Sequence, residues 1–388
     1  MSIKNEKVLF LFLGSLFFLA CSHSGVSIDG VDVIEKHSGK TQCFPGELTD
    51  DKGRPLTCEA SAAVYSAPYL YIASDKPVER PRSSLFRIPN EIPDEKISQY
   101  VSSPVFDGIR KIEDMAVDHQ TGMVFAVTAF DRVDKESPRW DSYNTLVAFH
   151  PNNESHALVA NEIEKDGYVS SLSLRDLLGL PLDHPYYKIE GLAVLPGNRL
   201  AFGIREIGKS YKDFSYVVKI LVAKYQLTEQ DFLITEAPRS LVDISSDKLV
   251  PGRNLGISSL AYNATDHSLF VLTSFEKGLE QDAQPLSQKE GEVNPEADLE
   301  QGKSLGAYLW RLSLDQVEQS KLSAGRAPSL EPVYDASGTP ISFAHKAEAV
   351  SILPNNRLLI VHDDDKVLTS NGGVKRKPSE FWYHVLQF

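Results

Sequence analysis

Three stretches of the chain place a lysine, skip one residue and follow with a glutamate: Lys111/Glu113, Lys188/Glu190 and Lys346/Glu348. A spacing of two puts both side chains on one side of an extended strand, so each pair offers an ammonium and a carboxylate to the same surface. Two readings follow. In the first, Glu113, Glu190 and Glu348, joined by Asp114 and Asp363, supply oxygen ligands to a hard cation such as calcium, which then binds or activates an anionic ligand. In the second, each glutamate pairs with a lysine and holds neighbouring segments together. The near-neutral local charge of a Lys-x-Glu pair favours the second. Lys111, Lys188, Lys346, Asp131, Glu206 and Ser258 are the candidate ligand-binding residues, and His362 with Asp363 the candidate catalytic pair, His362 as general base.

The elements that position these residues repeat. Residues 60–76, 112–132, 188–206, 257–277 and 346–365 are imperfect copies of one module: a strand of small apolar residues, a tight turn and a strand of β-branched and aromatic residues. Turns at 119–122, 196–198, 265–268 and 354–356 carry the residues that close short hairpins. Third strands are predicted at 84–88, 144–149, 216–225, 307–312 and 381–386, with weaker outer strands at 157–163, 240–244 and 330–334. Radially repeated antiparallel units of three or four strands predict an all-β fold, a β-propeller of five blades, with room for a sixth in the longest gaps. The alternation in residues 26–34 predicts a strand that pairs with the last blade and closes the ring. Charged second-strand ends at 75–76, 131–132, 205–206, 276–277 and 363–366 then converge on one mouth, and insertions at 133–143, 207–215, 278–303 and 367–380 gather on the same face. Residues 171–178 are the best helical candidate. Residues 278–303, acidic and poor in large apolar side chains, are expected to be disordered.

The chain has 388 residues, 42% of them hydrophobic, and a formal net charge of −13. Such an acidic surface argues against nucleic acid as a partner. Residues 1–20 have a basic start and an apolar run at 8–19 that is too short to span a bilayer, which predicts a signal peptide. Phe18-Leu-Ala-Cys21 resembles the bacterial lipobox, and this implies cleavage before Cys21, acylation of its thiol and attachment to a membrane. Ser22 after that cysteine resembles the sorting signal of Gram-negative outer-membrane lipoproteins. The alternative is an ordinary cleaved signal with Cys21 incidental. Residues 21–26 read as a tether and 27–388 as one domain. Cys43 and Cys58, exported together, are expected to form a disulfide, worth about 3 kcal/mol for a loop of roughly 15 residues. No Gly-x-Ser-x-Gly elbow is present, and Ser38-Gly-Lys-Thr41 lacks the first glycine of a phosphate loop.

Cys58-Glu-Ala-Ser-Ala-Ala-Val64 with Ala73-Ser-Asp75, Ile189-Glu-Gly-Leu-Ala-Val with Phe202-Gly-Ile-Arg205, and Ala347-Glu-Ala-Val with Arg357-Leu-Leu-Ile-Val-His-Asp-Asp364 resemble the bacterial family catalogued as domain of unknown function 3616. More loosely they are similar to the phytase-like esterase domain. The resemblance covers most of residues 58–388 and implies a propeller, without an assigned chemistry. The chain departs from the repeat pattern at Ser258, and Ala60 falls in the same register in the first copy.

The expected function is a lipid-anchored envelope propeller, monomeric, that binds a small molecule or protein at its top face. The alternative is a calcium-dependent hydrolase of a phosphoester, lactone or ester. If calcium binds, a concentration of 100 times its dissociation constant adds about 2.7 kcal/mol of stability. A melting temperature that does not move on calcium titration removes that alternative.

Overall fold

Alternating small and β-branched residues fold the repeated modules into hairpins that share one closed ring. The computed structural model describes residues 32–44, 48–49, 55–76, 83–93, 98–133, 138–277, 304–322, 328–363, 370–371 and 374–388. The leader, Cys21, the tether and the acidic stretch 278–303 lie outside the described residues.

The first blade contains the strands Ala60–Ser66, Tyr69–Ser74, Leu85–Ile88 and Gln99–Tyr100. The second contains Ile112–Val117, Val124–Thr128, Leu146–His150 and Asn153–Val159. In the third, Tyr186–Leu195, Arg199–Ser210 and Asp213–Leu227 carry two short outer strands, Phe232–Ile234 and Arg239–Ile244. The fourth is Gly256–Asn263, Ser268–Lys277 and Ser304–Ser313, edged by Glu331–Pro332 and Ser342–Phe343. The fifth is Ala347–Leu353, Arg357–His362 and Glu380–Gln387, completed by the N-terminal strand Asp32–Gln42. The first strand of each blade touches that of the next, and the fifth touches the first. The protein is a five-bladed β-propeller.

Five apolar clusters fill the five clefts between adjacent blades. Tyr71 meets Met115 and Phe149 between the first and second blades, Phe125 meets Phe202 between the second and third, and Ile220 meets Val271 and Trp310 between the third and fourth. Phe270 meets Leu358 between the fourth and fifth, and Phe86 meets Leu359 and Tyr383 between the fifth and first. Every blade therefore buries both faces, which is why the inner strands read as nearly continuous apolar runs. Gly191 and Gly203 face each other across the third blade's first hairpin. A Cβ on Gly203 would come within 2.7 Å of Ile257, so the two glycines set how closely the fourth blade approaches.

The hairpin turns have the left-handed residues that their sequences demand: Gly122, Gly197, Asn198, His267, Asn355 and Asn356 all have positive φ. Of the closing strand expected at 26–34, residues 26–31 lie outside the described residues; 32–34 belong to Asp32–Gln42, which pairs with the last blade as expected and runs on to Gln42. Residues Ile34 to Gln42 pair antiparallel with Glu380 to Gln387, and Lys40 meets Glu380 at 2.8 Å. Peripheral in the blade, with only Tyr334 and Asp335 paired beyond it among the described residues, this strand is held by backbone bonds and its side chains are mostly exposed, so it carries little hydrophobic signal. Cys43 and Cys58 form the expected disulfide just beyond it. Residues 207–215, expected as a loop, instead prolong a hairpin, with Ser210 paired to Asp213. The helix Leu172–Gly179 matches its sequence candidate, and a second helix, Leu314–Leu322, went unread.

One carboxylate sits on the ring axis. Asp114 is fully buried; its Oδ2 accepts the amides of Leu192 (2.7 Å) and Leu260 (3.0 Å), and its Oδ1 accepts the Met115 amide (2.9 Å) and the Ser259 hydroxyl (3.0 Å). Ser259 Oγ in turn accepts the Val350 amide at 3.1 Å. Burial pushes the Asp114 pKa well up, and the four donors pull against that. Asp114→Ala strands buried amides from three blades and is expected to cost about 3–5 kcal/mol, with Asp114→Asn costing less. The denaturant midpoint of the two variants against the parent checks this.

Candidate functional site

In all five blades the pairing of the first two strands slips by one residue at the same level. The slips fall between Ala60 and Ala62, Ile112 and Asp114, Ile189 and Gly191, Ile257 and Ser259, and Ala347 and Ala349. The residue left unpaired in each bulge is Ser61, Glu113, Glu190, Ser258 or Glu348. A bulge re-aims its side chain, and here it forms one ring of five equivalent positions at the mouth. The first copy's member is therefore Ser61 rather than Ala60. Two residues earlier stand Glu59, Lys111, Lys188, Gly256 and Lys346, which shows that Glu59, unread in the sequence, occupies a lysine position.

The two rings interlock by charge. Lys111 Nζ lies 2.7 Å from Asp131 and 3.4 Å from Glu113 Oε1, and Lys188 Nζ lies 3.3 Å from that same oxygen while bonding Glu190. Arg205 Nη1 meets Glu190 at 3.0 Å and continues to Ser258 Oγ (3.1 Å) and Ser274 Oγ (2.9 Å). Ser258 donates to Ser274, which donates to Glu348 at 3.2 Å, and Lys346 pairs with Glu348 at 3.3 Å. Lys76 pairs with Glu59 and Asp75. The fourth blade lacks both lysine and glutamate for a steric reason. A Cβ on Gly256 would sit 2.5 Å from Arg205 Cγ, so glycine makes way for the arginine that reaches across from the third blade. Glu113, Glu190 and Glu348 thus come together as the repeats predict, and each has a lysine within reach. Among the described residues no group of three or more His, Cys, Asp or Glu side chains is arranged to hold a metal ion.

The carboxylates lie beneath and the ammonium groups above. Side chains of Glu59, Glu113, Glu190, Glu348 and Asp131 are 3–5% exposed, whereas Lys76, Lys111, Lys188 and Lys346 are 39, 16, 15 and 11% exposed. Lys111 holds a left-handed backbone, φ 64°, uncommon for a residue with a side chain, and strain of this kind collects at functional sites. Glu206 accepts a hydrogen bond from Tyr186, and the Arg132 guanidinium lies 5.1 Å from the rings of Trp140 and Tyr143.

Burial pushes Glu113 up to about 7, against the pull of Lys188 and Lys111, with Glu190 and Asp75 adding to the rise. Glu206 is raised for the same leading reason. Burial would raise Glu190, Asp131 and Asp75 as well, but the cations around each outweigh it and hold all three below the usual carboxylate range: Arg205 and Lys188 for Glu190, Lys111 and Lys188 for Asp131, Lys76 and Lys111 for Asp75. Lys188, whose burial alone would lower it, is held well above its ordinary value by Glu113, Glu190 and Glu206.

Two candidates stand apart from this cluster. Asp114 lies deeper on the axis, its oxygens filled by the four donors described above. His362 and Asp363 divide: Asp363 is close enough to Lys76 to raise its pKa, while His362 is fully buried, with Nε2 2.7 Å from His384 Nδ1 and its ring against Phe343 and His345. Adjacent strand residues point to opposite sides, so the proposed catalytic pair does not face one site.

A scan against family models finds no match, and neither does a search of curated proteins. Solved structures that align include a glucose dehydrogenase (12% identity, 91% of this chain and 98% of that one, TM-score 0.37) and a gluconolactonase from Xanthomonas campestris (11%, 91% and 98%, 0.36). A DUF4221-family protein from Bacteroides vulgatus aligns at 8% identity over 92% of this chain and 98% of its own, TM-score 0.37. At this level of likeness nothing about activity passes from those proteins to this chain.

Glu113 in the folded chain keeps its proton up to about pH 7, whereas unfolded it loses it near 4.5. Between those values the folded state binds more protons, so stability from this group is full below pH 4.5 and is lost as pH rises through 7. Glu206 acts in the same direction, and the lowered carboxylates act below this window. Urea denaturation at intervals across the window is expected to show the parent losing ground to Glu113→Gln as pH rises; parallel curves would contradict the assignment.

Proposed function

We propose that this chain is an exported, lipid-tethered binding protein whose mouth takes up a small polyhydroxylated ligand. The carrying observation is the two-layered mouth. Lysine side chains from four blades reach further toward the surface than the carboxylates on which each is seated, so the mouth offers hydrogen-bond donors whose charge is largely balanced from beneath. Hydroxyl groups both donate and accept, and a ligand rich in them fits such a surface better than a strongly charged ion does. Trp140 and Tyr143 beside the charges supply aromatic faces of the kind that cover apolar ring surfaces. The tether at Cys21 rests on the lipobox-like leader, and the Cys43–Cys58 disulfide agrees with an oxidising compartment outside the cytosol. Outer-membrane attachment follows from Ser22.

A second reading, hydrolysis of an ester or lactone at this mouth, is favoured by one observation: a buried carboxyl with a pKa near neutrality, Glu113, is tuned as general acids and bases are. Turnover of sugar lactones that vanishes in Glu113→Gln would support it.

Calorimetric titration with monosaccharides, sugar acids, their lactones and linear polyols tests the binding proposal. At least one is expected to bind, and Lys188→Met, in a variant that still melts cooperatively, is expected to weaken it about tenfold or more. If none binds, or if Lys188→Met binds as the parent does, the proposal fails.

A further inference from the structure

A second cavity opens on the same rim, separate from the mouth. The helix Leu172–Gly179 and the turn after it lead into the third blade's first strand, and between them lies a space of about 530 Å³ lined by Arg175, Asp176, Leu180, Asp183, His184 and Tyr187, among others. That volume is in the range of small-molecule sites. Tyr187 precedes Lys188 and follows Tyr186, whose hydroxyl reaches Glu206 at the mouth. Side chains alternate along a strand, so Tyr187 faces the cavity and Tyr186 the mouth.

Arg175 sets the chemistry. It is 7% exposed, its guanidinium lies 4.5 Å from the centre of the Tyr187 ring, and its Nη2 donates to the Pro185 carbonyl at 3.4 Å. Its Nη1 is buried and has no hydrogen-bond partner among the described residues. Every arginine and lysine described at the mouth sits on a carboxylate, whereas among the described residues no carboxylate forms an ion pair with Arg175. A buried cation left short of partners is costly, and a planar guanidinium fixed on an aromatic face is preorganised for a carboxylate. Around it are the exposed acids Asp176 and Asp183 and the exposed apolar side chain of Leu180. Asp183 holds its place with a left-handed backbone, φ 56°.

We propose that this cavity binds an α-amino acid as its zwitterion, the carboxylate on Arg175, the ammonium toward Asp176 and Asp183, and an apolar side chain against Leu180. The site is independent of the mouth, and its ligand is of a different class.

Calorimetric titration of the full chain with L-leucine, 4-methylpentanoate and 3-methylbutylamine tests it. The last two each lack one of the two charges. Leucine is expected to bind, and each analogue to bind about tenfold or more weakly. Arg175→Met is expected to abolish leucine binding. Because removal of a buried arginine can unfold the chain, Asp183→Asn serves as the second variant, asparagine being tolerated at positive φ. It is expected to weaken leucine while leaving 4-methylpentanoate unchanged. Failure of leucine to bind, equal binding of leucine and 4-methylpentanoate, or leucine binding unaffected by Asp183→Asn each overturns the proposal.

Discussion

Blades set around an axis leave a debt of hydrogen bonds at the centre. The innermost strand of each blade pairs along one edge only, and its other edge turns amide groups into a channel too narrow for bulk water. Asp114 meets that requirement for its own blade and for the third and fourth, and Ser259 extends it to the fifth. Only one such carboxylate fits. The equivalent positions are Ala62, Gly191, Ser259 and Ala349, all small, because five acids converging on a dry axis would repel one another and overfill it. The repeat must therefore break its own symmetry at its centre in order to close.

The mouth above follows from the same geometry. The bulge that turns Glu113, Glu190 and Glu348 toward the axis also brings three like charges together, and the lysines two residues earlier are the counter-charges that make this tolerable. The fourth blade completes the arrangement by omission. Gly256 and Ser258 leave room for Arg205, so one cation from the third blade serves both Glu190 and the Ser258–Ser274 pair that leads to Glu348. Charge here is shared between blades, and removing one member reaches its neighbours.

Much of this could be read in the sequence. Hairpin turns, third strands and the Lys-x-Glu pairs are encoded within one repeat, the blade number and the convergence of those pairs follow from counting the repeats, and the disulfide follows from the expectation that the two cysteines of an exported chain pair. What escaped was encoded between repeats or in backbone bonds alone. A one-residue bulge shifts register without changing composition, so Ala60 stood in for Ser61 and Glu59 was passed over. The closing strand's pairing with the last blade is legible, but its run on to Gln42 is not, because these residues are polar and mostly exposed. The helix Leu314–Leu322 has a weak amphipathic pattern. Arg175 sat inside a helix recognised correctly, but nothing in its neighbours signalled that its charge would be buried against Tyr187. His362, expected as a general base, is instead enclosed by the rings of Phe343, His345 and His384, which come from other segments of the chain.

The strand that closes the ring pairs the beginning of the described chain with its end, Ile34 with Gln387. The two strands lie far apart in sequence, so four blades can form from local hairpins while the fifth waits for a pairing of very high sequence separation. The ring latches only when Asp32–Gln42 and Glu380–Gln387 meet. Chains interrupted near the C-terminus would display an open sheet edge on both sides of the gap, which is a surface that quality-control proteases and chaperones recognise. The latch thus makes closure of the ring depend on the pairing with the longest sequence separation in the fold.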